Sequence, residues 1–353
     1  MQTYCRSVSV WITSHDPAIR GYIVAMHTLI TNTVLSATGA QSIRSSSVIQ
    51  SLWSGYGEIV RLELDGGEHA SVILKHIKLP EASSSHPRGW NTGLSHQRKI
   101  RSYRVEACWY QDYARHCDTG CPVPSCLAVN VAEDETVLVL TDLDAIGFHL
   151  RKERVKTEDI YACLDWLSSF HATFLNSPTS GLWQNGSYWH LETRPDELAA
   201  LKDLALQQAA PFIDRQLREC RYQTLVHGDA KLANFCFTAD TRVPRVAAVD
   251  FQYVGRGCGM KDVVYFIGSC LSEENCEALE AQLLDYYFSS LVRRVKEKHP
   301  GVDTLELELQ WRALYDVAWA DFHRFLKGWS PGHWKIHSYS EKLTRRVIGR
   351  MKS

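Results

Sequence analysis

Four polar residues in the middle of the chain have types and spacings that suit one kind of chemistry. The segment LVHGDAKLANF, residues 225–235, carries Asp229, Lys231 and Asn234 between apolar flanks, and Asp250 ends the later apolar run VAAVDFQ. Phosphoryl transfer requires a carboxylate that orients or deprotonates the acceptor hydroxyl, oxygen ligands for Mg²⁺, and a cation that steadies the transferred group. These residues have the required types, on a predicted strand–loop–strand frame.

Lys75 and Glu106 lie upstream in an order that suits nucleotide binding. Residues 60–64 alternate apolar and polar side chains, which is the period of a half-buried strand. The Gly-Gly pair at 66–67 permits a turn, and the strand-like run 70–77 carries Lys75. Glu106 stands on a predicted helix that follows. A lysine on a hairpin and a glutamate on the next helix could together hold the phosphates of a nucleotide.

The pattern of apolar residues changes near residue 143. Before that point the sequence favours strands, with a long polar loop predicted over residues 79–101. After it most segments have helical spacing, including a helix that Thr157 is expected to cap. Three short strands are predicted within this helical part, at 224–227, 235–237 and 245–250. Residues 1–25 show no clear period, and we expect them to form a poorly ordered N-terminal extension.

Bulk composition narrows the classes of function. The chain has 353 residues, with 39 basic and 40 acidic side chains, so no net positive field favours nucleic acid as a partner. No apolar run approaches the length that spans a bilayer, and no secretory signal is recognisable. The 11 cysteines are scattered and odd in number, which is typical of reduced thiols in a cytoplasmic protein. The oligomeric state is not indicated.

Three motifs carry a resemblance to a known family. HGDAKLAN resembles the catalytic loop of the aminoglycoside phosphotransferase and choline kinase group, which shares the protein-kinase fold. VDFQ resembles the metal-binding motif of that group, and KDVVYF, with Asp262, resembles the helix start that braces the catalytic loop. With Gln252 after Asp-Phe, the string is most similar to the ecdysteroid-kinase-like branch and its bacterial relatives. The resemblance covers about residues 47–270.

The resemblance implies an α+β, bilobal protein-kinase-like fold with a small β-rich N-lobe at 26–143 and a larger, mainly helical C-lobe at 144–353. It implies transfer of the γ-phosphoryl group of ATP, with Mg²⁺, to a hydroxyl of a small molecule. Asp229 would be the catalytic base and Lys231 a catalytic cation, although many small-molecule kinases of the group have another residue at the lysine position. Asn234 and Asp250 would be the magnesium ligands.

The same resemblance implies a set of nucleotide-binding residues. Lys75 would contact the α- and β-phosphates and pair with Glu106. The backbone from Leu140 to Leu143 would meet adenine.

Gly55 and Gly57 would begin a glycine-rich loop, although Val60 stands where a third glycine is expected. A plain hairpin turn explains the two glycines equally well, so both interpretations stay open.

Two other functions remain as alternatives. A catalytically silent binding protein could share the fold, although such proteins commonly lack one of the residues that are retained here. A protein kinase would need an activation segment, and the stretch from Asp250 to Asp262 is too short for one.

Several residues outside these motifs have open roles. One loop could hold a metal or be purely structural, with His116, Cys117, Cys121 and Cys126. A basic cluster could be a solvated helix face or a substrate clamp, with Arg98, Lys99, Arg101 and Arg104. Aromatic residues near the C-terminus could be core or acceptor site, namely Trp319, Phe322, Trp329 and Trp334. His171 is expected to be a core histidine and His227 to orient the catalytic loop.

Overall fold

The computed structural model describes residues 28–52, 55–78, 93–132, 134–240 and 242–351. The chain divides into two compact units. The first lies within residues 1–84 and 126–142, and the second within 85–125 and 143–353. The predicted extension at 1–25 lies outside the described residues.

The first unit is an antiparallel sheet of five strands with one described helix against it. Its elements are α1 (Thr28–Thr38), β1 (Ser42–Ser51), β2 (Gly57–Asp65), β3 (Ser71–Lys78), β4 (Cys126–Val131) and β5 (Glu135–Thr141). The strand order is β1-β2-β3-β5-β4. Alternate side chains of β2 point to one face of the sheet and form an apolar core with α1. This core includes Val60 and Leu62 of β2 and Ile30 and Val34 of α1.

Two glycine positions shape the hairpins of this sheet. Gly66 and Gly67 both have left-handed backbone, with φ of +74° and +80°, and they form the predicted turn between β2 and β3. Gly57 begins β2 with φ of +130°, and a Cβ atom there would lie 2.0 Å from the carbonyl oxygen of His76. Only glycine allows these two backbones to approach so closely.

The second unit is mainly helical. Its helices are α2 (Gly93–Cys108), α3 (Thr157–Thr173), α4 (Pro195–Ala199), α5 (Leu204–Glu219), α6 (Met260–Cys270), α7 (Glu273–Lys298), α8 (Thr304–Trp329) and α9 (Ser338–Arg350). The two longest begin at side-chain caps. Ser272 accepts a hydrogen bond from the backbone of Asn275 before α7, and Asp303 accepts from Leu305 and Glu306 before α8. None of the described helices is both long and apolar enough to cross a bilayer.

Two short antiparallel pairs in the second unit hold the loops that carry the predicted chemistry. Strand β6 (Thr224–Val226) pairs with β9 (Gly255–Gly257), and β7 (Phe235–Phe237) pairs with β8 (Val246–Ala248). The segment 227–234 therefore leaves one pair and enters the other. Asp250 lies between β8 and β9, so the two pairs fix both ends of each loop.

The predicted α+β fold, with a β-rich N-terminal part and a larger helical part, is confirmed. Some details of the prediction are wrong. Helix α2 begins at Gly93, inside the predicted loop, and α3 is preceded by Lys156, whose backbone N–H donates to Asp159, so Thr157 is already helical. The lobe ranges 26–143 and 144–353 stay a prediction; by compactness, residues 85–125 group with the second unit.

Candidate active site

Asp229 takes part in four side-chain or backbone contacts within its own loop. Lys231 Nζ lies 3.0 Å from Oδ2 of Asp229, and Asn234 Nδ2 donates to the same oxygen at 3.2 Å and to the Asp229 carbonyl at 2.8 Å. The Asp229 backbone N–H donates to Nδ1 of His227 at 3.2 Å. The spacing of the motif thus brings a lysine and an amide to one carboxylate oxygen.

The carboxylate of Asp262, at the start of α6, is hydrogen-bonded to the backbone of this loop. Its carboxylate accepts the backbone N–H groups of His227 at 2.6 Å and Gly228 at 2.9 Å, and it lies 3.2 Å from Nε2 of His171. Gly228 has φ of +77°, and a Cβ atom there would lie 2.2 Å from the carbonyl oxygen of Tyr253. Asp262 is fully buried, and the hydrogen bonds from these donors offset the cost of burying its charge. The predicted brace is therefore present.

The two histidines have the positions that the sequence suggested. His171 is fully buried, and its Nδ1 lies 2.7 Å from the hydroxyl of Tyr287 while its Nε2 faces Asp262. It is a core histidine that also supports the brace. His227 Nε2 lies 3.0 Å from the Val249 carbonyl oxygen, which ties the catalytic loop to the segment before Asp250.

Asp250 has an unusual backbone conformation for an aspartate, with φ of +70°. Non-glycine residues in this region cost energy and cluster at functional sites. Gln252 Nε2 donates to Oδ1 of Asp250 at 2.7 Å, and Oε1 of the same amide accepts from Lys99 at 3.0 Å and Ser102 at 3.3 Å. The glutamine that marks the motif therefore fixes the Asp250 carboxylate and links it to helix α2.

Asn234 and Asp250 come from the ends of one paired strand unit. Asn234 precedes β7 and Asp250 follows β8, and the Val249 N–H donates to the Asn234 carbonyl at 3.0 Å. The side-chain oxygen of Asn234 has no donor among the described residues, while its nitrogen is engaged by Asp229. An amide oxygen and a carboxylate are donors that Mg²⁺ accepts, together with phosphate and water. The residues present therefore fit a magnesium ion.

The electrostatics of the loop favour a charged lysine. The carboxylate of Asp229, and more weakly that of Asp250, raise the pKa of Lys231 above its ordinary value. Lys231 therefore remains a cation at neutral pH beside the candidate base. A permanent positive charge here suits the stabilisation of negative charge on a transferred group.

A tyrosine cluster stands beside Asp229, and the sequence did not predict it. The rings of Tyr188 and Tyr265 lie 5.5 Å apart, and those of Tyr188 and Tyr253 lie 5.9 Å apart. Burial raises the pKa of Tyr265, with further contributions from the neighbouring groups of Tyr188 and Asp229. Tyr265 follows Asp262 by one helical turn, and that spacing was the signal available in the sequence.

The residues predicted to bind nucleotide are divided between the units. Lys75 is buried in β3, where it pairs in register with Ile59 and Leu138. Leu140 lies in β5, between β3 and β4, so both edges of its strand are occupied by neighbours. Gly55, with φ of +73°, lies in the turn before β2.

Glu106 and Leu143 belong to the second unit. Glu106 is buried in α2. The Leu143 carbonyl accepts from Phe148 at 2.9 Å, and its side chain packs against Phe148 and Cys236. The pairing of Lys75 with Glu106 and the adenine contact of residues 140–143 stay predictions.

The basic cluster on α2 contacts other parts of the second unit. Arg98 donates to the Thr193 carbonyl at 2.6 Å, Lys99 contacts Gln252, and Arg101 lies 4.3 Å from the ring centre of Trp183. Arg104 is exposed. Three of the four therefore have specific neighbours and do not form a merely solvated face.

The candidate metal loop shows no metal-binding geometry. The described residues contain no group of three or more His, Cys, Asp or Glu side chains that could hold a metal ion. Cys121 is buried and Cys117 is half-buried. Cys126 begins strand β4. The structural interpretation of this loop stays a prediction.

The C-terminal aromatic residues fall into two classes. Trp319 and Phe322 are buried within α8, as core residues are. Trp329 is 37% exposed and Trp334 is 61% exposed. Trp319 and Phe322 are therefore core residues, and a role of Trp329 and Trp334 in the acceptor site stays a prediction.

Comparison with known proteins gives one family match. Residues 184–299 match the family model of the ecdysteroid kinase-like family, and this range contains Asp229, Asn234, Asp250 and Asp262. No curated protein matches the chain.

Solved structures similar to this chain include several small-molecule kinases. A microcompartment-associated aminopropanol kinase is 14% identical with a TM-score of 0.47, covering 92% of this chain and 98% of that one. A choline kinase from Cryptosporidium parvum is 10% identical with a TM-score of 0.47, covering 87% and 89%. A putative fructosamine-3-kinase from Haemophilus somnus is 14% identical with a TM-score of 0.42, covering 92% and 97%. Over residues 184–299 the chain thus resembles the ecdysteroid kinase-like family, as its motifs predicted.

Proposed function

We propose that the protein is a phosphotransferase that moves the γ-phosphoryl group of ATP to a hydroxyl of a small molecule. The observation that carries this proposal is the meeting of Lys231 and Asn234 at one carboxylate oxygen of Asp229. The family match over residues 184–299 supports the same class of chemistry. The kinase resemblance of the motifs and the buried brace at Asp262 agree with it.

The proposed reaction forms one bond and breaks one. The acceptor oxygen forms a bond to the γ-phosphorus while the bond from that phosphorus to the β,γ-bridging oxygen breaks, and ADP leaves with that oxygen. Asp229 orients the acceptor hydroxyl and takes its proton. Lys231, held beside Asp229, stabilises negative charge on the transferred group.

Asn234 and Asp250 are the residues that would hold Mg²⁺. When bound, the ion supplies positive charge that offsets the charge of the phosphate oxygens. The backbone strain at Asp250 and the hydrogen bond from Gln252 keep that carboxylate in one orientation. Lys75 would contact the α- and β-phosphates, with Glu106 as its partner, and residues 140–143 would meet adenine.

The test is release of ADP from ATP in the presence of a panel of hydroxylated small molecules, with and without Mg²⁺. We expect the wild type to be active with at least one acceptor. Asp229→Asn should lower kcat at least ~100-fold, because a general base typically contributes about 10²–10⁴-fold. Asp250→Ala should abolish the magnesium-dependent turnover.

The matched control is Asp285→Asn, which removes one charge from a carboxylate whose side chain is 69% exposed. It should leave turnover unchanged. Circular dichroism and thermal melts establish that each variant is folded. Full turnover in a folded Asp229→Asn protein would refute the assignment of the base. Binding of ATP by the wild type, with no acceptor-dependent ADP release across the panel, would favour a silent binding protein.

A further inference from the structure

Lys335 lies in the connection between α8 and α9, residues 330–337, and is half-buried. Its ammonium group lies 4.9 Å from the ring centre of Tyr265, 5.7 Å from that of Phe322 and 5.5 Å from that of Trp334. Within the described ranges, no carboxylate or other oxygen lies within hydrogen-bond distance of it. Aromatic faces attract a cation, but they do not replace the hydrogen bonds that an ammonium group makes in water.

Several cations of the second unit have an oxygen partner. Lys231 contacts Asp229, Lys99 contacts Gln252, and Arg194 pairs with Glu197 at 3.0 Å. Lys335 differs from them because its donors point to no protein oxygen that is described. An ammonium group that contacts no protein oxygen is able to hydrogen-bond to an anionic group of a ligand.

The charges of Asp229 and Lys231 in the catalytic loop affect the pKa of Lys335. The ring of Tyr265, on which its ammonium lies, belongs to a residue whose pKa is raised in part by the charge of Asp229. Burial lowers the pKa of Lys335 to about 8, while the charge of Asp229 opposes this shift and that of Lys231 adds to it. The lysine is therefore still mainly charged at neutral pH, and it lies beside the proposed acceptor site.

An aromatic ladder leads from the core to this lysine. The ring of Phe325 stacks on Trp329 at 5.6 Å, Trp329 packs on His333 at 6.1 Å, and His333 stacks on Trp334 at 5.9 Å. Trp329 and Trp334 are both exposed. A flat, apolar body could lie against such a surface, which is bordered by a positive charge.

The nearby carboxylates do not offer a complementary site for a cation. Asp229 and Asp250 have roles in the proposed reaction, and Glu197 is paired with Arg194. Asp321 accepts from the indole N–H of Trp189 and from Arg324. A positively charged acceptor would therefore be repelled by the ammonium of Lys335.

We propose that Lys335 is a specificity-determining residue that pairs with an anionic group of the acceptor. The acceptor class is then a hydroxy compound with a flat apolar body and an acidic group, and cationic acceptors are rejected. This inference rests on the proposed phosphotransferase function, because it assigns the second substrate of that reaction.

The experiment uses three probes that share one benzyl alcohol and differ in the group opposite to it. They are 4-(hydroxymethyl)benzoate, 4-methylbenzyl alcohol and 4-(aminomethyl)benzyl alcohol. Dissociation constants are measured for the full chain by ligand-observed NMR titration without nucleotide, so that failure of catalysis leaves the binding result readable. Turnover of each probe is followed in parallel by ADP release.

We expect the wild type to bind the carboxylate at least ~10-fold more tightly than the uncharged alcohol, and the ammonium compound most weakly. Lys335→Met should abolish this preference, and Lys335→Arg should keep most of it. Lys342→Met is the control, because Lys342 lies on α9 and pairs with Glu277 on the surface. It should behave as the wild type.

Three results would overturn the inference. The first is an unchanged carboxylate preference in folded Lys335→Met protein. The second is the absence of any binding of the carboxylate probe to the wild type. The third is an equal loss of turnover for all three probes in Lys335→Met with unchanged binding, which would place the lysine at the transferred phosphoryl group.

Discussion

The loop at residues 227–234, which carries the proposed base Asp229, differs from the connection at 330–337 in how its polar groups are satisfied. In the loop, Asp229, Asn234 and the backbone at 227–228 are all hydrogen-bonded to protein groups. In the connection, Lys335 lies on aromatic rings, and Trp334 is 61% exposed. Protein contacts thus fix the conformation of the loop, whereas in the connection the ammonium of Lys335 has no oxygen partner among the described residues. Such a difference is expected where one element performs a fixed reaction and the other selects a substrate.

The rigidity of the loop depends on one buried carboxylate. Asp262 joins two backbone N–H groups and His171 at a point without solvent exposure. Each of these donors would be left without its acceptor if the carboxylate were removed, since no water is accessible there. The connection has no comparable group among its described residues, so substitutions in it should affect the ligand more than the fold.

The largest effect is expected for Asp262→Ala. It should lower the free energy of unfolding by about 2–5 kcal/mol, because each orphaned buried polar group costs about 1–3 kcal/mol. Urea denaturation measures the change. Asp285→Ala is the control, because that exposed carboxylate pairs only at the surface with Arg312 and should contribute less than about 1 kcal/mol.

Turnover at a temperature where the Asp262→Ala protein is still folded separates bracing from simple stability. We expect kcat to fall as well, because Asp229 loses its fixed position. A stable variant with normal kcat would mean that the loop does not depend on this carboxylate. The proposed difference in rigidity between the loop and the connection would then be wrong.

Two tryptophans of the same helix provide a second test. Trp319 is fully buried, whereas Trp329 is 37% exposed near the end of α8. Trp319→Ala should cost about 3–5 kcal/mol of unfolding free energy, as is usual for a large core side chain, and Trp329→Ala much less. Thermal melts and urea denaturation of the two variants measure the difference.

The same pair distinguishes core from acceptor site. Trp329→Ala should raise KM for the 4-(hydroxymethyl)benzoate probe while leaving KM for ATP unchanged. If Trp329→Ala destabilises the protein as strongly as Trp319→Ala and its folded fraction has normal acceptor kinetics, Trp329 is a core residue. The aromatic ladder would then not be an acceptor surface.

The sequence predicted the features that depend on short spacings. Asp229, Lys231 and Asn234 meet because a single turn of the chain carries them, and the turn at Gly66–Gly67 follows from a local preference for left-handed backbone. The grouping of Tyr188, Tyr265 and Lys335 could not be predicted. These residues are far apart in sequence, and only the packing of the helices brings them together.

Missed elements have physical reasons as well. Strand β1 is an edge strand, SIRSSSVIQS, in which one residue is buried, so it lacks the alternation that indicates a strand. The first turns of α2 carry charged and polar residues, GLSHQRKIR, with little apolar surface, and they were therefore predicted to be loop. In both cases tertiary contacts determine the structure more than local preference does.

The smallest expected effect is a pH dependence of the preference for the carboxylate probe, which tests the role of the connection separately from that of the loop. The preference for the carboxylate probe requires charged Lys335, and burial has lowered the pKa of this lysine to about 8. The charge is present below that value and is lost above it, so the preference should decline from pH 7 to pH 9 and be flat in Lys335→Met.

The groups that face Lys335 should not produce this change themselves. They are Asp229 and Lys231 of the catalytic loop, Tyr265 and Cys270 of α6, and His333 of its own segment. Burial raises the pKa of Tyr265 and Cys270, and Asp229 raises that of Lys231, so all three lie above the window. Burial lowers the pKa of His333, which is then neutral throughout. NMR titrations of the benzyl probes at pH 7, 8 and 9 measure the dissociation constants. The quantity followed is the ratio of the constant for 4-methylbenzyl alcohol to that for 4-(hydroxymethyl)benzoate. A ratio that stays constant in the wild type would show that the preference does not come from this lysine, and the connection would then have no charged group that selects the acceptor.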